Sequence, residues 1–407
     1  MKILYLAHRI PYPPNKGDKI RSFNEIKYLA GNHTIDLICL ADDPEDRQYK
    51  EALQKYCGKI FVYPISTTWS KIKGLAEFCI GKPITTAYFY RKTVQETFNH
   101  WLTNNDYDAV ICFSSSMAEY VFKSVQLYLI GQGRGPEKPK LIMDFCDIDS
   151  DKWLQYAQKE AFPLKQVYQA ENFRLQAYET LVYKTFDAST VASQKEKELF
   201  LQVCPAAENM VVLPNGVDTE YFSPQSTQPA EQLTDESALV FTGAMDYHAN
   251  VDGVCWFCEH IFPAVRKQYE NARFYIVGRN PAPAVEKLGT LPGVHVIGNV
   301  ADIRPWYQKA AVFVVPMRLG RGVQNKVLEA MAMGRPIVST SKANDGIGAL
   351  DGEHLIIADS ADNFARAVTG LLQDHNRQKI LGVNARNFVL AENTWEEHMA
   401  RLENLLT

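Results

Sequence analysis

The stretch "VFVVPMRLGRGVQNKVLEAMAMGRPIVST", Val312 to Thr340, holds a complete structural unit. Its opening "VFVVPMR" begins with four apolar residues, three of them β-branched, and reads as a strand. A loop with Gly320 and Gly322 follows, opening an amphipathic helix. A Gly-Arg-Pro turn stops the helix, and "PIVST" reads as a second strand. Strand, helix and strand in that order make a crossover that joins two parallel strands of one sheet.

The same alternation extends in both directions. Upstream, "ALVFTGAMDYHANVDGVCWFCEHIFPAV" (238–265) is strand, loop and helix, and "ARFYIVGRNP" (272–281) and "VHVIGNV" (294–300) are further strands. An earlier series begins at "KILYLAH" (2–8), which reads as a first strand rather than a signal peptide. It continues through "TIDLICLAD" (34–42), "GKIFVYPIS" (58–66), "DAVICFSS" (108–115) and "KLIMDFCD" (140–147), with one long helix over about 151–186. These apolar runs end in polar residues, as parallel strands buried on both faces do. Residues 223–237 turn to Ser, Gln, Pro, Thr, Glu and Asp and read as a linker.

The expected fold is α/β, with two doubly wound Rossmann-like domains facing across a cleft. The expected bounds are 1–215 and 216–385, with 386–407 as a closing helix that packs back on the first domain.

A net charge of -4 argues against a nucleic-acid binder. No window has the length of uninterrupted apolar sequence that a transmembrane helix needs. The eight cysteines are scattered in apolar settings, as in a reducing, cytoplasmic compartment. Cys255 and Cys258 have redox or zinc spacing, but no second pair completes a site, so they read as the buried face of a helix.

A glycine-opened helix at the C-terminal edge of a parallel sheet suits an anion. Backbone N–H groups and the positive dipole end point at it. Gly320 and Gly322 supply the opening, Arg321 and Lys326 add cations, and Arg318 stands at the strand end. Gly243 approaches the same place from the loop after "LVFT", and Gly17, Asp18 and Lys19 face it from the first domain. Glu329 stands among Leu328, Ala330 and Met331. About 10 Å along the helix from Gly322, its carboxylate can accept ribose hydroxyls of a bound nucleotide.

Three of these stretches together, "VVLPNGVDTEYFSP" (211–224), "FTGAMDYHANVDGVCWF" (241–257) and "GRGVQNKVLEAMAMGRPIV" (320–338), resemble family 4 glycosyltransferases of the GT-B fold. The resemblance is closest to sugar transferases of exopolysaccharide systems, which also carry sequences like "PYPPNKGDKIRSFNEIKYL" (11–29) and "DFCDIDSDKW" (144–153). It implies transfer of a sugar from a nucleotide-diphosphate donor, bound by the C-terminal domain, to a saccharide or lipid-linked saccharide acceptor. It implies retention at the anomeric carbon and neither cofactor nor metal. The family pattern has glutamates at both ends of a seven-residue gap. Here the second is Glu329, and Arg321 replaces the first, which leaves the sugar and the stereochemical outcome open. A GT-B binding or scaffold protein without activity is the alternative.

In "DFCDIDSDKW", Asp147 is the first choice for positioning or deprotonating the acceptor hydroxyl, ahead of Asp144 and Asp149. Helix capping by Asp149 or Ser150 is the competing explanation. Asp147-Ile-Asp149 also matches a metal-binding Asp-x-Asp, a signal any acidic loop produces. Asn215-Gly216 reads as a structural turn. Between 67 and 92, Trp69, Phe78, Tyr88, Phe89 and Tyr90 alternate with Lys71, Lys73, Lys82, Arg91 and Lys92. That mixture fits either an anionic membrane surface, on the inner face, or a buried helix with a basic edge.

Overall fold

The computed structural model describes residues 1–14, 16–133, 137–225, 237–320 and 322–407. The chain divides into two compact units: Met1–Leu213 with Met399–Thr407, and Pro214–His398.

The first unit is built on a seven-stranded parallel sheet. Its strands are β1 (Lys2–Ala7), β2 (Thr34–Ala41), β3 (Ile60–Pro64), β4 (Ala109–Phe113), β5 (Lys140–Asp144), β6 (Ala188–Val191) and β7 (Val211–Val212), in the order β3-β2-β1-β4-β5-β6-β7. The apolar runs explain this: Ile3 to Leu6 and Val110 to Cys112 are wholly buried, which a sheet with helices on both faces demands. The return from β3 to β4 reverses the winding, so the crevice between β1 and β4 is the switch point where ligands bind in such sheets.

The second unit repeats the plan with six parallel strands: β8 (Ala238–Thr242), β9 (Arg273–Val277), β10 (Val294–Gly298), β11 (Val312–Val315), β12 (Ile337–Ser339) and β13 (Ile356–Ile357), ordered β10-β9-β8-β11-β12-β13. Phe313 stands beside Val240 in the parallel pairing of β11 with β8, and that pair forms the second switch point.

Several expectations shift. The helix expected to open at Gly322 starts at Asn325 and ends at Ala332. Gly320 and Gly322 lie before it with φ of 136° and 62°, values that favour glycine. They therefore shape the loop and are not the helix start. The long helix over 151–186 is two helices, Asp149–Lys159 and Leu164–Thr185. Pro163 stands at the start of the second, where its missing N–H is tolerated. Residues 386–398 belong to the second unit, and only Met399–Thr407 to the first. There Glu403 accepts from Tyr28 and Asn32, both at 3.0 Å, and meets His33 at 3.1 Å. Most of the expected linker, 226–236, lies outside the described residues.

Cys255 and Cys258 are free thiols on the helix His248–Trp256 and its π-turn continuation. Burial pushes the Cys258 thiol up to about 12; Cys258 is core, and the half-buried Cys255 packs against that core. Gly216 has a structural reason: a Cβ there would lie 2.4 Å from the backbone nitrogen of Trp395.

Candidate donor site

The second switch point gathers charged and polar side chains from four segments. β8 ends at Thr242, and Gly243 follows. A Cβ on Gly243 would fall 2.7 Å from Asn250 Nδ2 and 3.3 Å from Lys326 Nζ. Gly278, after β9, is tighter still, since its Cβ would lie 1.6 Å from the Gly243 carbonyl oxygen. The two glycines let the loops after β8 and β9 close onto the side chains beside them.

Lys326 is the second residue of the helix Asn325–Ala332 and is buried. Its ammonium donates to Asn250 Oδ1 at 2.5 Å and lies 4.4 Å from the centre of the Phe241 ring. Among the described residues no carboxylate oxygen comes within ion-pair distance. Burial lowers its pKa to about 7, against a smaller upward pull from the Glu329 charge. A lysine held by an amide oxygen and a ring face is a cation short of a counter-ion.

Glu329 follows three residues later, so it shares a face with Lys326. Tyr307 donates to Glu329 Oε2 at 2.5 Å, and the Tyr307 hydroxyl also meets Thr242 Oγ1 at 2.8 Å. Burial raises the Glu329 pKa, opposed by the Tyr307 hydrogen bond and the Lys326 charge. The helix starts three residues late, so Glu329 is only about 6 Å beyond Asn325 along its axis. Asn215 donates to Asn325 Oδ1 at 3.2 Å, so the Asn-Gly turn reaches the start of this helix.

The other donor-side candidates lie elsewhere or are occupied. Arg318 is exposed and forms a two-point ion pair with Asp252, Nη2–Oδ1 2.6 Å and Nε–Oδ2 3.1 Å, with Trp256 beneath it. Arg321 lies outside the described residues. In the first unit, Gly17 opens the helix Gly17–Leu29. Lys19 is buried in a 2.6 Å ion pair with Asp46. Asp18 takes Arg9 at 2.6 Å and His8 at 3.4 Å. Those two partners outweigh the cost of burial and hold its carboxyl well below the usual range.

The aspartates after β5 separate sharply. Asp144 is wholly buried, accepting from Arg21 Nε and from the Cys146 N–H, both at 2.7 Å. Without solvent contact it cannot meet an acceptor, which corrects its candidacy. Asp147 is exposed. Asp149 is the first residue of its helix and accepts from Ser115 at 3.5 Å; Ile148 is the cap residue. Capping by Asp149 or Ser150 is also corrected, because the cap comes from a distance. Buried Glu179 accepts from the Ser150 N–H and hydroxyl, and Glu196 accepts from the Ile148 N–H at 2.7 Å. Burial raises these two carboxyls to about 8 and about 7. Cys146 and Ser114, at the ends of β5 and β4, adopt φ of 60° and 78°, strain of the kind that accumulates at functional sites.

Sequence reasoning missed three residues. Tyr307 and Asn250 come from segments distant in sequence. His8, one residue past β1, stands at the first switch point. Its Nε2 faces Asp18, and its buried Nδ1 has no hydrogen-bond partner among the described residues. The signal was present, in a histidine ending the first strand.

The basic and aromatic stretch 67–92 is divided: Lys73 and Arg91 are engaged within the protein, while Lys71, Lys82 and Lys92 are exposed. Lys73 donates to the Tyr90 carbonyl, and Arg91 to the Tyr88 and Tyr90 carbonyls and Ser70. Lys82 pairs with Glu77, and Lys92 with Glu96. The helix Thr67–Cys79 also exposes apolar residues: Trp69, Ile72, Leu75 and, just past its end, Ile80. No helix among the described residues is long and apolar enough to cross a membrane.

Residues 236–374 match the family of glycosyl transferases, group 1. An uncharacterized 44.6 kDa protein in the cps region of Klebsiella pneumoniae is 22% identical over 404 residues, 95% of each chain. A GDP-mannose-dependent alpha-(1-6)-phosphatidylinositol monomannoside mannosyltransferase of Mycobacterium tuberculosis is 26% identical over 240 residues, 54% of this chain and 61% of its own. Among solved structures, sucrose-phosphate synthase of Thermosynechococcus elongatus superposes with a TM-score of 0.69 at 18% identity, covering 100% of this chain and 98% of that one. Anabaena Alr3699/HepE in complex with UDP and glucose gives 0.67 at 16% identity, covering 100% and 99%. The chain thus has the GT-B fold of two Rossmann-like units, and residues 236–374 are similar to the glycosyl transferases, group 1.

Proposed function

We propose that the chain transfers a hexose from a nucleoside diphosphate sugar to a saccharide or lipid-linked saccharide acceptor in polysaccharide or glycolipid assembly. The observation that carries this reading is Lys326, a buried cation without a carboxylate partner, set beside Gly243 and three residues before Glu329. A diphosphate supplies the missing counter-charge. Lys326 then holds its proton and stabilises the leaving nucleoside diphosphate, aided by the N–H groups at the Asn325 helix start. Glu329, fixed by the Tyr307 hydroxyl, accepts ribose hydroxyls. In this reading Lys326 and the helix end do the neutralising, and no cofactor or metal is used. A cytoplasmic setting fits nucleotide sugars, and retention at the anomeric carbon follows the family resemblance.

The relatives' names support the chemistry. One structural neighbour was crystallised with UDP-glucose, one relative uses GDP-mannose, and another is named for Vi polysaccharide biosynthesis. Calorimetry tests the site. Glu329→Ala should weaken UDP or GDP and the matching nucleotide sugar by a similar factor, about ten- to a hundredfold, since a lost charged hydrogen bond costs about 1.5–3 kcal/mol. Full-strength binding removes the assignment. Release of nucleoside diphosphate by the unaltered protein separates a transferase from a silent binding protein.

For the acceptor base, Asp147 and His8 stand at strand ends of the first unit. Replacing the true base, by Asp147→Asn or His8→Gln, should lower kcat about 10²- to 10⁴-fold with unchanged donor affinity. The other variant should turn over nearly normally.

A further inference from the structure

A second cavity, of about 570 Å³, opens within the second unit. Ala310 and Ala311 line it just before β11, and Arg335 and Pro336 just before β12. It therefore sits at the N-terminal edge of the sheet, whereas Gly243 and Lys326 stand at the C-terminal edge. The rest of its wall comes from Pro224, Met333 and Gly334, the end of the helix Arg304–Lys309 and the first turns of the helix His375–Glu392.

The lining holds the cations Arg335, Arg386 and Lys379 together with His375, and among the described residues it includes no carboxylate. Lys309 contributes its stem, since its ammonium lies over the Tyr275 ring at 4.4 Å. Arg335 and Arg386 give hydrogen bonds only to carbonyls: Arg335 to Met333 and Gln308, Arg386 to Phe222 and Ala332. Nη2 of Arg335, and Nε and Nη2 of Arg386, have no hydrogen-bond partner among the described residues. Both guanidinium groups have pKa values lowered by burial, with no acidic neighbour opposing it. The nearby Asp374 is not in the lining and caps the Arg377 N–H at 2.9 Å.

Gln308 supplies the independent sign of a ligand. It is 8% exposed and lines the cavity. Its Nε2 donates to the Pro224 carbonyl at 3.0 Å, which fixes the amide orientation, and its buried Oε1 has no hydrogen-bond partner among the described residues. A buried acceptor of this kind costs stability unless a donor reaches it. Paired guanidinium forks suit phosphate oxygens, and Gln308 Oε1 suits a hydroxyl on the same molecule.

We infer that this cavity binds a sugar phosphate, with the phosphate on Arg335 and Arg386 beneath the Lys379 rim, and a sugar hydroxyl on Gln308 Oε1. The volume admits a hexose phosphate, which is smaller than a drug-sized ligand. The site is separate from the donor site but joined to it. The Asn325–Ala332 helix carries Lys326 and Glu329 and leads directly into Met333–Arg335, and Arg386 binds the Ala332 carbonyl at its end. Gln308 follows Tyr307, the partner of Glu329.

Calorimetry with inorganic phosphate, pyrophosphate and a hexose 6-phosphate tests this on the whole chain. The hexose phosphate should bind at least tenfold more tightly than inorganic phosphate, by using Gln308. Arg386→Met should weaken it at least tenfold. Because Arg386 also ties backbone carbonyls, Lys379→Glu on the exposed rim is the second variant, with severalfold weakening expected and the fold kept. Glu329→Ala should change hexose phosphate affinity less than twofold, so failure of the donor assignment leaves this test intact. No binding by any of the three probes overturns the inference. So does hexose phosphate binding that UDP displaces competitively or that Lys379→Glu leaves unchanged.

Discussion

Arg21 in the first unit and Lys326 in the second are both buried cations near the ends of parallel strands, yet their surroundings differ in kind. Arg21 has Asp144 at 2.7 Å, Glu25 at 3.2 Å and the Leu213 carbonyl at 2.5 Å. Tyr5 closes the group by donating to Glu25 at 2.6 Å. Burial and the Asp144 charge raise the Glu25 carboxyl well above its usual range, while Arg21 helps to hold Asp144 below it. Lys326 has an amide oxygen and a ring. The charge-compensated network holds the sheet together, and the uncompensated one is an offer to a ligand. Counter-charge, more than burial or place in the fold, separates scaffold from site here.

The largest effect should come from breaking the charge-compensated network. Asp144→Ala leaves Arg21 with less compensation in the interior and should cost about 3–5 kcal/mol in urea unfolding. Nucleotide affinity should be unchanged wherever the variant is folded. A loss below 1 kcal/mol would erase the contrast drawn above.

The uncompensated network should show itself in pH dependence. The Lys326 pKa is lowered to about 7, so the ammonium is present below that pH and must be regained by proton uptake above it. Nucleoside diphosphate affinity should fall as pH rises past about 7, by up to tenfold per unit. Lys326→Met should flatten that slope and weaken binding at pH 6. Linkage runs the other way for the fold. The unfolded chain keeps this proton up to the ordinary lysine range, so the contribution of Lys326 to stability rises between about pH 7 and that range. A flat binding profile in the unaltered protein would place the diphosphate elsewhere.

A smaller effect belongs to the surface. With Lys73 and Arg91 tied to backbone carbonyls, attraction to a bilayer would rest on Trp69, Ile72, Leu75 and Ile80, beside the exposed Lys71, Lys82 and Lys92. Replacing Trp69, Ile72 and Leu75 together by Ala should lower partition onto anionic vesicles severalfold, with little sensitivity to salt. Release by salt alone would return the credit to the cations.

How much of this was readable in advance follows from the same physics. The strands were legible because a parallel sheet covered on both faces demands continuous apolar runs, as in "KILYLA" and "VFVV". Glu329 stood out as a carboxylate between Leu328 and Ala330 on a helix. The late helix start was not legible, because Val323 and Gln324 suit a helix as well as a loop. Arg318 looked like a phosphate ligand because its partner, Asp252, is 66 residues away. Asp144 looked like chemistry because Arg21 is 123 residues away. Charges declare themselves locally, and their partners do not. The two expectations for 67–92 could not be separated for the same reason, since the acceptors of Lys73 and Arg91 are mostly backbone carbonyls that no composition reveals.

The split of the first unit between Met1–Leu213 and Met399–Thr407 has a consequence for biosynthesis. About 185 residues separate the two pieces, roughly 10–40 s of ribosome time at about 5–20 residues per second. Throughout that interval Tyr28, Asn32 and His33 await Glu403, and the first unit must persist as an unfinished body while its successor emerges. A chaperone that recognises nascent chains has its window there. A circular permutant placing 399–407 directly ahead of Met1 would close that window.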